Sequence, residues 1–194
     1  TTPAGGFCLG GTKTLTASST ANGDLVLFRG DFDDNSLTGY SLTSGGGTPT
    51  NWVLSSGTYT YGTQITSFAF SGSSPFIYLN SDQLGSGSSA GFGSIATPSF
   101  STVGHTGITL KFNHVYRTTG ANIAATIQYS TDGGLTWSAN VVSYTATTPT
   151  QTWNAASIQT EAASIALPAG ANNQPNVKVR FTCDYDWDYY WMID

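Results

Sequence analysis

The stretch NVKVRFTCDYDWDYYWMID, residues 176–194, contains two segments with the alternation of β-strands. In the first segment Val177, Val179 and Phe181 alternate with polar residues, which is the period of a half-buried strand. A short acidic and aromatic bend follows, and aromatic or aliphatic side chains alternate again over 189–193. Two strands joined by such a bend are more typical of a β-sandwich than of an enzyme core. The stretch therefore indicates a binding module whose acidic residues are suited to calcium.

The composition is typical of all-β extracellular proteins. Charged residues make up only 9% of the 194 residues, well below the usual quarter, and Gly, Ser and Thr take their place. Aromatic residues reach 13%, which allows a full core and excludes a disordered chain. The net charge is −5 and the six basic residues are scattered, so we expect no nucleic-acid partner. No apolar run approaches the roughly 18 residues of a membrane span, so we expect no membrane insertion.

Short strand candidates separated by turns recur at intervals of about 8–12 residues, which predicts a sandwich or a barrel. The Gly- and Ser-rich residues 81–94 are predicted to form a surface loop. Before the two terminal strands, the predicted strands cover residues 12–18, 25–28, 40–42, 52–54, 58–61, 65–70, 76–79, 99–103, 108–116, 121–130, 141–145 and 161–167. The segment 1–23 differs in character from the rest, so we divide the chain into this segment and a domain over 24–194.

No catalytic set is expected. A G-x-S-x-G match at residues 87–91 lies in low-complexity sequence, without the strand and helix that a nucleophile elbow needs. Glu161 is the only glutamate, so a paired-glutamate glycosidase site is not credible. His114 is predicted to point outwards, on the strand face opposite Phe112, as a structural residue. The chain is therefore predicted not to be an enzyme.

Residues 130–137, STDGGLTW, match the Asp-box pattern S-x-D-x-G-x-T-W at every fixed position. The carboxylate of Asp132 is suited to binding the turn backbone, and Gly133 and Gly134 allow a positive φ. Trp137 is predicted to fold back over the hairpin as a small core. A sialidase normally carries several such boxes together with an arginine cluster. This chain has one such box and three arginines in all, so the motif predicts a structural hairpin and not a sialidase site.

Two acidic clusters are candidates for a calcium site, because calcium prefers six to eight oxygen ligands from carboxylates, amides and carbonyls. Asp31, Asp33, Asp34 and Asn35 lie on one turn, and a second group lies near Asp194. If the first and last strands are neighbours, the two clusters meet at one edge. The alternative is that these residues only form turns and keep the protein soluble.

Aromatic side chains offer a second kind of site. If exposed, Trp52, Tyr185 and Tyr190 could bind sugars by stacking on a pyranose ring, whereas most aromatics in such a chain belong to the core. Cys8 and Cys183, the only two cysteines, either form a disulfide that closes a very long loop or remain two buried thiols.

The order of motifs over residues 25–194 resembles the cleaved-adhesin, MAM-like jelly-roll domains of secreted Bacteroidota surface proteins. The matching motifs are Asp31-Phe32-Asp33 with the aromatic Tyr40, Thr97-Pro98, Leu110 to Tyr116, Ser130 to Trp137, Val177 to Phe181 and Trp191 to Asp194. The chain departs from the family pattern at Asp33, where the family has Glu. The opening Cys8-Leu9-Gly10-Gly11 and the TLTAS segment after it are similar to Ig-like repeats of large surface proteins of the same phylum.

The resemblance implies an all-β jelly-roll sandwich of two antiparallel sheets with structural calcium. By matching position Asp33 and Asp194 would be calcium ligands; Asp31 and Asp34 are added from the local turn. The resemblance also implies a secreted, cell-surface location, export by type IX secretion, and a role in attachment or gliding motility. Residues 1–23 would come from an adjoining Ig-like region.

The expected function is non-catalytic adhesion, in which one module of a larger secreted protein binds surface glycans or surface proteins and contacts other modules of the same chain. One alternative is a carbohydrate-binding accessory module of a secreted hydrolase. Another is a structural spacer in a surface filament.

Overall fold

The computed structural model describes residues 25–30, 32–47, 50–62, 65–86, 89–118, 124–145, 160–186 and 189–194. Its regular structure is almost entirely strand. The strands are β1 Ser41–Gly46, β2 Val53–Ser55, β3 Tyr59–Tyr61, β4 Ile65–Phe68, β5 Phe76–Asn80, β6 Gly91–Ala96, β7 Thr109–Arg117, β8 Ala125–Ser130, β9 Val142–Tyr144, β10 Glu161–Ala166, β11 Lys178–Tyr185 and β12 Tyr190–Ile193. Short 3₁₀ turns cover Ser71–Ser73, Asp82–Leu84 and Ala169–Ala171.

Two five-stranded sheets form the sandwich. Sheet A has the order β1-β6-β11-β8-β9, and sheet B has the order β10-β7-β12-β5-β2. Every strand pair in both sheets is antiparallel. A separate hairpin consists of β3 and β4. The predicted all-β jelly roll with two antiparallel sheets is confirmed.

Strand β11 shows how the sequence alternation becomes a sheet. Its side chains alternate strictly between half-buried and buried positions from Lys178 to Tyr185. Val179, Phe181 and Cys183 belong to the core between the sheets, so the residues between them face outwards. Because β11 lies in the centre of sheet A, its polar set lies in the middle of the outer surface of that sheet.

Strand β12 is buried on both faces, unlike a half-buried strand. Trp191 and Ile193 belong to the core between the sheets. Tyr190 and Met192 belong to a second core, together with Phe68 on β4 and other aromatic residues. The hairpin of β3 and β4 therefore covers the outer side of sheet B and encloses this second core.

Strand β6 contradicts the last part of the predicted loop over 81–94, since it begins at Gly91. Its sequence GFGSIA has one β-branched residue, Ile95, and two glycines, which disfavour a strand, yet it lies between β1 and β11 in sheet A. The reason is close packing: a Cβ atom on Gly93 would overlap Leu79 Cδ1 of sheet B. A Cβ atom on Gly91 would lie 2.6 Å from the Gly45 carbonyl oxygen. Glycine is therefore required here by the approach of neighbouring atoms.

Two predicted strands and one predicted orientation are wrong. Residues 25–28 are irregular, and Phe28 stacks on Phe100 with ring centroids 5.3 Å apart instead of joining a sheet. Residues 99–103 form one isolated bridge, between Phe100 and Val177. His114 is 3% exposed and shares the inward face of β7 with Phe112, because residues two apart on a strand point the same way.

The segment 1–23, its boundary and Cys8 lie outside the described residues. Cys183 is buried on the inward face of β11. In the part of the chain that the structure describes, no helix is long and apolar enough to cross a membrane.

Candidate functional site

A row of hydroxyl side chains crosses the outer face of sheet A. On this face of β11, Thr182 is paired with Ser94 of β6 and with Thr126 of β8. The hydroxyl groups of Thr182 and Ser94 are 2.8 Å apart and form a hydrogen bond. The strand registers continue the row to both edges of the sheet. From one edge to the other the hydroxyl row consists of Thr43, Ser94, Thr182, Thr126 and Ser143.

Beside the hydroxyl row lies a cationic and aromatic group. The Arg180 guanidinium lies over the Trp137 ring, 4.2 Å from its centroid. Arg180 Nε donates a hydrogen bond to Gln128 Oε1 at 3.2 Å, and Nη2 donates to the same oxygen. Gln128 Nε2 in turn donates to the Ser138 carbonyl at 2.8 Å. The guanidinium is therefore fixed on one face by the ring and along one edge by the amide.

The Asp-box turn holds Trp137 in this place. Asp132 Oδ1 accepts hydrogen bonds from the backbone N–H groups of Leu135 and Thr136, at 3.0 Å each. The Thr136 hydroxyl donates to Asp132 Oδ2 at 2.5 Å, and the Ser130 hydroxyl donates to Oδ1 at 2.7 Å. These bonds, first those from Thr136, hold the pKa of Asp132 well below its usual range.

The predicted structural hairpin is confirmed at the Asp box, where Gly133 and Gly134 have φ values of 75° and 98°. The tryptophan, however, is not only a small core for its own hairpin. Trp137 contacts Arg180 of the central strand, so the turn also places an aromatic ring beside the hydroxyl row.

Together these elements enclose a groove of about 170 Å³. One wall comes from β1 and β6, through Thr43 and Ser94, and the other comes from Trp137 and the Asp-box turn. Lys178 and Arg180 line it from the central strand. Such a groove offers hydroxyl donors and acceptors, two cations and an aromatic edge, which is the chemistry of recognition of a polar, hydroxyl-rich ligand.

The three aromatic residues predicted to stack on sugars do not have exposed rings. Trp52, Tyr185 and Tyr190 are each 2% exposed. Trp52 Nε1 donates to the Gly93 carbonyl at 3.1 Å, and Tyr185 Oη accepts from the Thr50 N–H at 2.8 Å. The expectation of an exposed stacking surface at these residues is wrong, because Trp52 and Tyr185 belong to the core between the sheets and Tyr190 belongs to the second core.

The predicted calcium ligands are only partly described. Asp31 lies outside the described residues, and Asp33 and Asp34 are exposed on a turn closed by a 2.7 Å hydrogen bond from the Asn35 N–H to the Phe32 carbonyl. Asp34 Oδ1 accepts from the Ser36 N–H at 3.0 Å. Among the described residues, no three His, Cys, Asp or Glu side chains are grouped closely enough to hold a metal ion.

Asp194 nevertheless lies near the segment that leads into that turn. Its Oδ1 accepts a hydrogen bond from the Ser74 hydroxyl at 3.0 Å, and its backbone pairs with Asn113. A cavity of about 850 Å³ opens at this end of the sandwich, and both Asp194 and Gly30 line it. The structure thus brings the last residue and the approach to the acidic turn to one cavity, with oxygen donors of the kind that calcium prefers.

Sequence reasoning missed the residues of the groove. The signal was present in β11, where Lys178, Arg180 and Thr182 alternate with buried residues and must share the solvent face. Their partners on β6 and β8 depend on strand register, which the sequence alone did not show.

No family model matches this chain, and no curated protein matches it. Among solved structures, the K1 cleaved adhesin domain of Lys-gingipain from Porphyromonas gingivalis W83 matches with a TM-score of 0.58 and 16% identity, over 85% of this chain and 92% of that one. The K3 cleaved adhesin domain of the same protein matches with a TM-score of 0.51 and 16% identity, over 84% of this chain and 90% of that one. The chain is therefore similar in fold to these two domains, as a β-sandwich.

Proposed function

We propose that this chain is a non-catalytic adhesion module that binds glycans on the outer face of sheet A. The observation that carries the proposal is the groove in which the hydroxyl row adjoins Trp137 and Arg180. A glycan presents hydroxyl groups and apolar ring faces, so it matches hydroxyl, amide and aromatic groups together. The similarity in fold to cleaved adhesin domains supports an adhesin class of function.

The rigidity of the groove supports binding over a purely structural role. Arg180 is held by Gln128 and Trp137, and the Asp-box turn that carries Trp137 is closed by four or more hydrogen bonds to Asp132. Groups that are already ordered lose less conformational entropy when a ligand binds. Polar side chains that only keep the outer face of a sheet soluble do not need to be ordered to this degree.

A groove-blocking variant tests the proposal. Thr43 is exposed at the edge strand β1 and lines the groove, so Thr43→Trp should fill the groove with little effect on the core. We expect wild-type protein to bind specific glycans on an array and the variant to lose at least tenfold in affinity, because the indole ring would occupy the groove. The affinity is then measured by calorimetry on the strongest glycan of the array.

The control is Leu135→Ser, which alters the tip of the Asp-box turn, where Leu135 is 86% exposed and outside the groove. This variant should bind as the wild type does. Equal binding by Thr43→Trp and wild type would place the glycan elsewhere on the molecule. No glycan binding by a folded wild type would favour a protein-binding module or a spacer.

We also propose that calcium stabilises the domain at the end where Asp194 and the approach to the acidic turn line one cavity. If so, excess chelator should lower the melting temperature. A ligand present at 100 times its Kd stabilises the folded state by about 2.7 kcal/mol, which for a domain of this size is roughly 5–11 °C. Differential scanning calorimetry with calcium and with chelator measures the shift.

The exposed Asp33 is the residue to change for this proposal, since Asp33→Asn should abolish the calcium response with little damage to packing. Asp186→Asn, at another exposed aspartate, is the matched control and should keep it. A wild-type melting temperature that is the same in calcium and in chelator would reject calcium as a structural ion here.

The setting that we propose is the cell surface, with the domain as one part of a larger secreted protein. Its support is the similarity in fold to the two adhesin domains. Only the motif resemblance supports export by type IX secretion and a part in gliding motility. Immunolabelling of intact cells would test the surface location.

A further inference from the structure

We propose that the groove on sheet A selects acidic polysaccharides, whose sugar units carry a carboxylate, over neutral ones. This inference rests on the proposed function, since it names the glycan class that the same groove takes. Lys178 and Arg180 are two residues apart on β11 and both face outwards into the groove. They are two of only six basic residues in a chain of net charge −5. The groove is therefore locally positive, although the protein as a whole is negative.

The charges of these two residues are not neutralised by the protein around them. Among the described residues, the hydrogen-bond partner of the Arg180 guanidinium is the neutral amide of Gln128, and its stacking partner is Trp137. No carboxylate of the described chain forms an ion pair with Arg180 or Lys178. Arg180 is half-buried, so its guanidinium gives up part of its hydration, and this burial lowers its pKa.

A partly desolvated and unneutralised cation gains more from an anionic ligand than a fully solvated one, because Coulomb attraction strengthens as the surrounding dielectric falls. The guanidinium still has N–H groups beyond those bound to Gln128, and Lys178 adds a second point charge beside it. A sugar carboxylate over this pair would place the neighbouring ring along the hydroxyl row. Charge thus selects the polysaccharide, while the hydroxyl groups position it.

The Asp132 carboxylate, in the turn that forms one wall of the groove, is taken up by hydrogen bonds from Leu135 and Thr136. On the outward face of β11 itself the acidic residue is Asp184, and it lies at the other end. Asp184 is four residues from Arg180 on the same strand, beyond the hydroxyl row, which is about 13 Å at the usual rise of a strand. Burial raises the pKa of this carboxyl group. The face is therefore polarised along β11, with its cationic end at the groove, and an acidic sugar is expected to lie at that end.

The test compares two forms of one polymer, polygalacturonate and its fully methyl-esterified form, which share a backbone and differ in charge. We expect the 194-residue chain to bind the acid at least tenfold more tightly than the ester by calorimetry, with an affinity that falls as sodium chloride rises from 50 to 500 mM. Arg180→Gln and Lys178→Gln should each remove most of this preference. Lys111→Gln, which removes the same charge from sheet B, should leave it unchanged.

Unsulfated chondroitin and chondroitin sulfate separate a carboxylate preference from a sulfate preference. Binding that requires sulfate would overturn the carboxylate assignment. Equal affinity for the acid and the ester, or tight binding to neutral glycans only, would overturn anion selection and leave glycan binding intact. A folded protein that binds none of these polymers and none of the array glycans would overturn both this inference and the proposed function.

Discussion

Replacing Trp191 with alanine is expected to lower the free energy of unfolding by about 4 kcal/mol, in the middle of the range for truncation of a core aromatic residue. Trp191 is fully buried and lies on the central strand β12 of sheet B. Its ring contacts side chains of both sheets, so alanine would leave a cavity that no single neighbour can fill. The neighbouring rings are those of Trp52, His114, Tyr116, Tyr144 and Phe181.

The loss has a polar component as well. Trp191 Nε1 donates a hydrogen bond to His114 Nδ1 at 3.2 Å, and alanine would leave that buried acceptor without this donor. For a domain of this size we expect the melting temperature to fall by roughly 8–16 °C. Urea unfolding followed by circular dichroism gives the free energy directly.

Two further variants show whether the cavity or the lost hydrogen bond contributes more to the loss of stability. Trp191→Phe keeps most of the ring and removes the N–H donor, so it should cost clearly less than alanine. Leu135→Ala, at a side chain that is 86% exposed, should change stability by less than about 0.5 kcal/mol. If Trp191→Ala lowered the free energy of unfolding no more than this surface control does, the Trp191 ring would not be needed to hold the two sheets together.

Trp191 also shows how far the sequence determined the fold. The alternation over residues 177–193 predicted two strands and an all-β sandwich, because the period of two is a local property of the chain. It did not predict that Tyr190 and Met192 would also be buried. That burial depends on the hairpin of β3 and β4, which is more than 100 residues away in sequence and covers the outer side of sheet B.

Strand β6 shows a second limit to what the sequence could predict of the fold. Its glycines indicate a loop by local propensity, whereas tertiary packing makes them necessary. Gly93 lies against Leu79 of the opposite sheet, and a larger residue would force the sheets apart. Propensity was overruled by a contact between residues distant in sequence, and that contact was not visible before the sheets were paired.

The groove could be predicted only in part for the same reason. The outward positions of Lys178 and Arg180 follow from the alternation of β11, and the turn that carries Trp137 follows from the Asp-box motif. That the turn and the strand meet depends on the pairing of β11 with β8, which is a matter of register. The aromatic residues chosen from sequence were buried because large aromatic side chains contribute most of the apolar area that a core needs.

The stability of the domain is expected to fall between pH 7.5 and pH 4.5 because of His114. This side chain is 3% exposed, and burial lowers its pKa to about 4, from an ordinary value of about 6.5. Below pH 6.5 the unfolded chain binds a proton at this histidine while the folded chain does not. The stabilising contribution is therefore complete above pH 6.5 and is lost as the pH falls from about 6.5 to about 4, amounting to about 2.5 kcal/mol at pH 4.5.

His114→Gln tests this dependence without removing the acceptor, since the amide oxygen can still accept the bond from Trp191 Nε1. The Glu161 carboxylate, 3.9 Å from His114 Nε2 and half exposed, favours the protonated form but does not outweigh burial. Urea unfolding at the two pH values should show that the wild type loses about 2.5 kcal/mol more than His114→Gln.

His105→Gln, the same change at the other histidine of the chain, is the matched control and should lose stability as the wild type does. Equal losses in the wild type and His114→Gln would mean that His114 becomes protonated without unfolding. Its contact with Glu161 would then be stronger in the folded protein than a distance of 3.9 Å indicates.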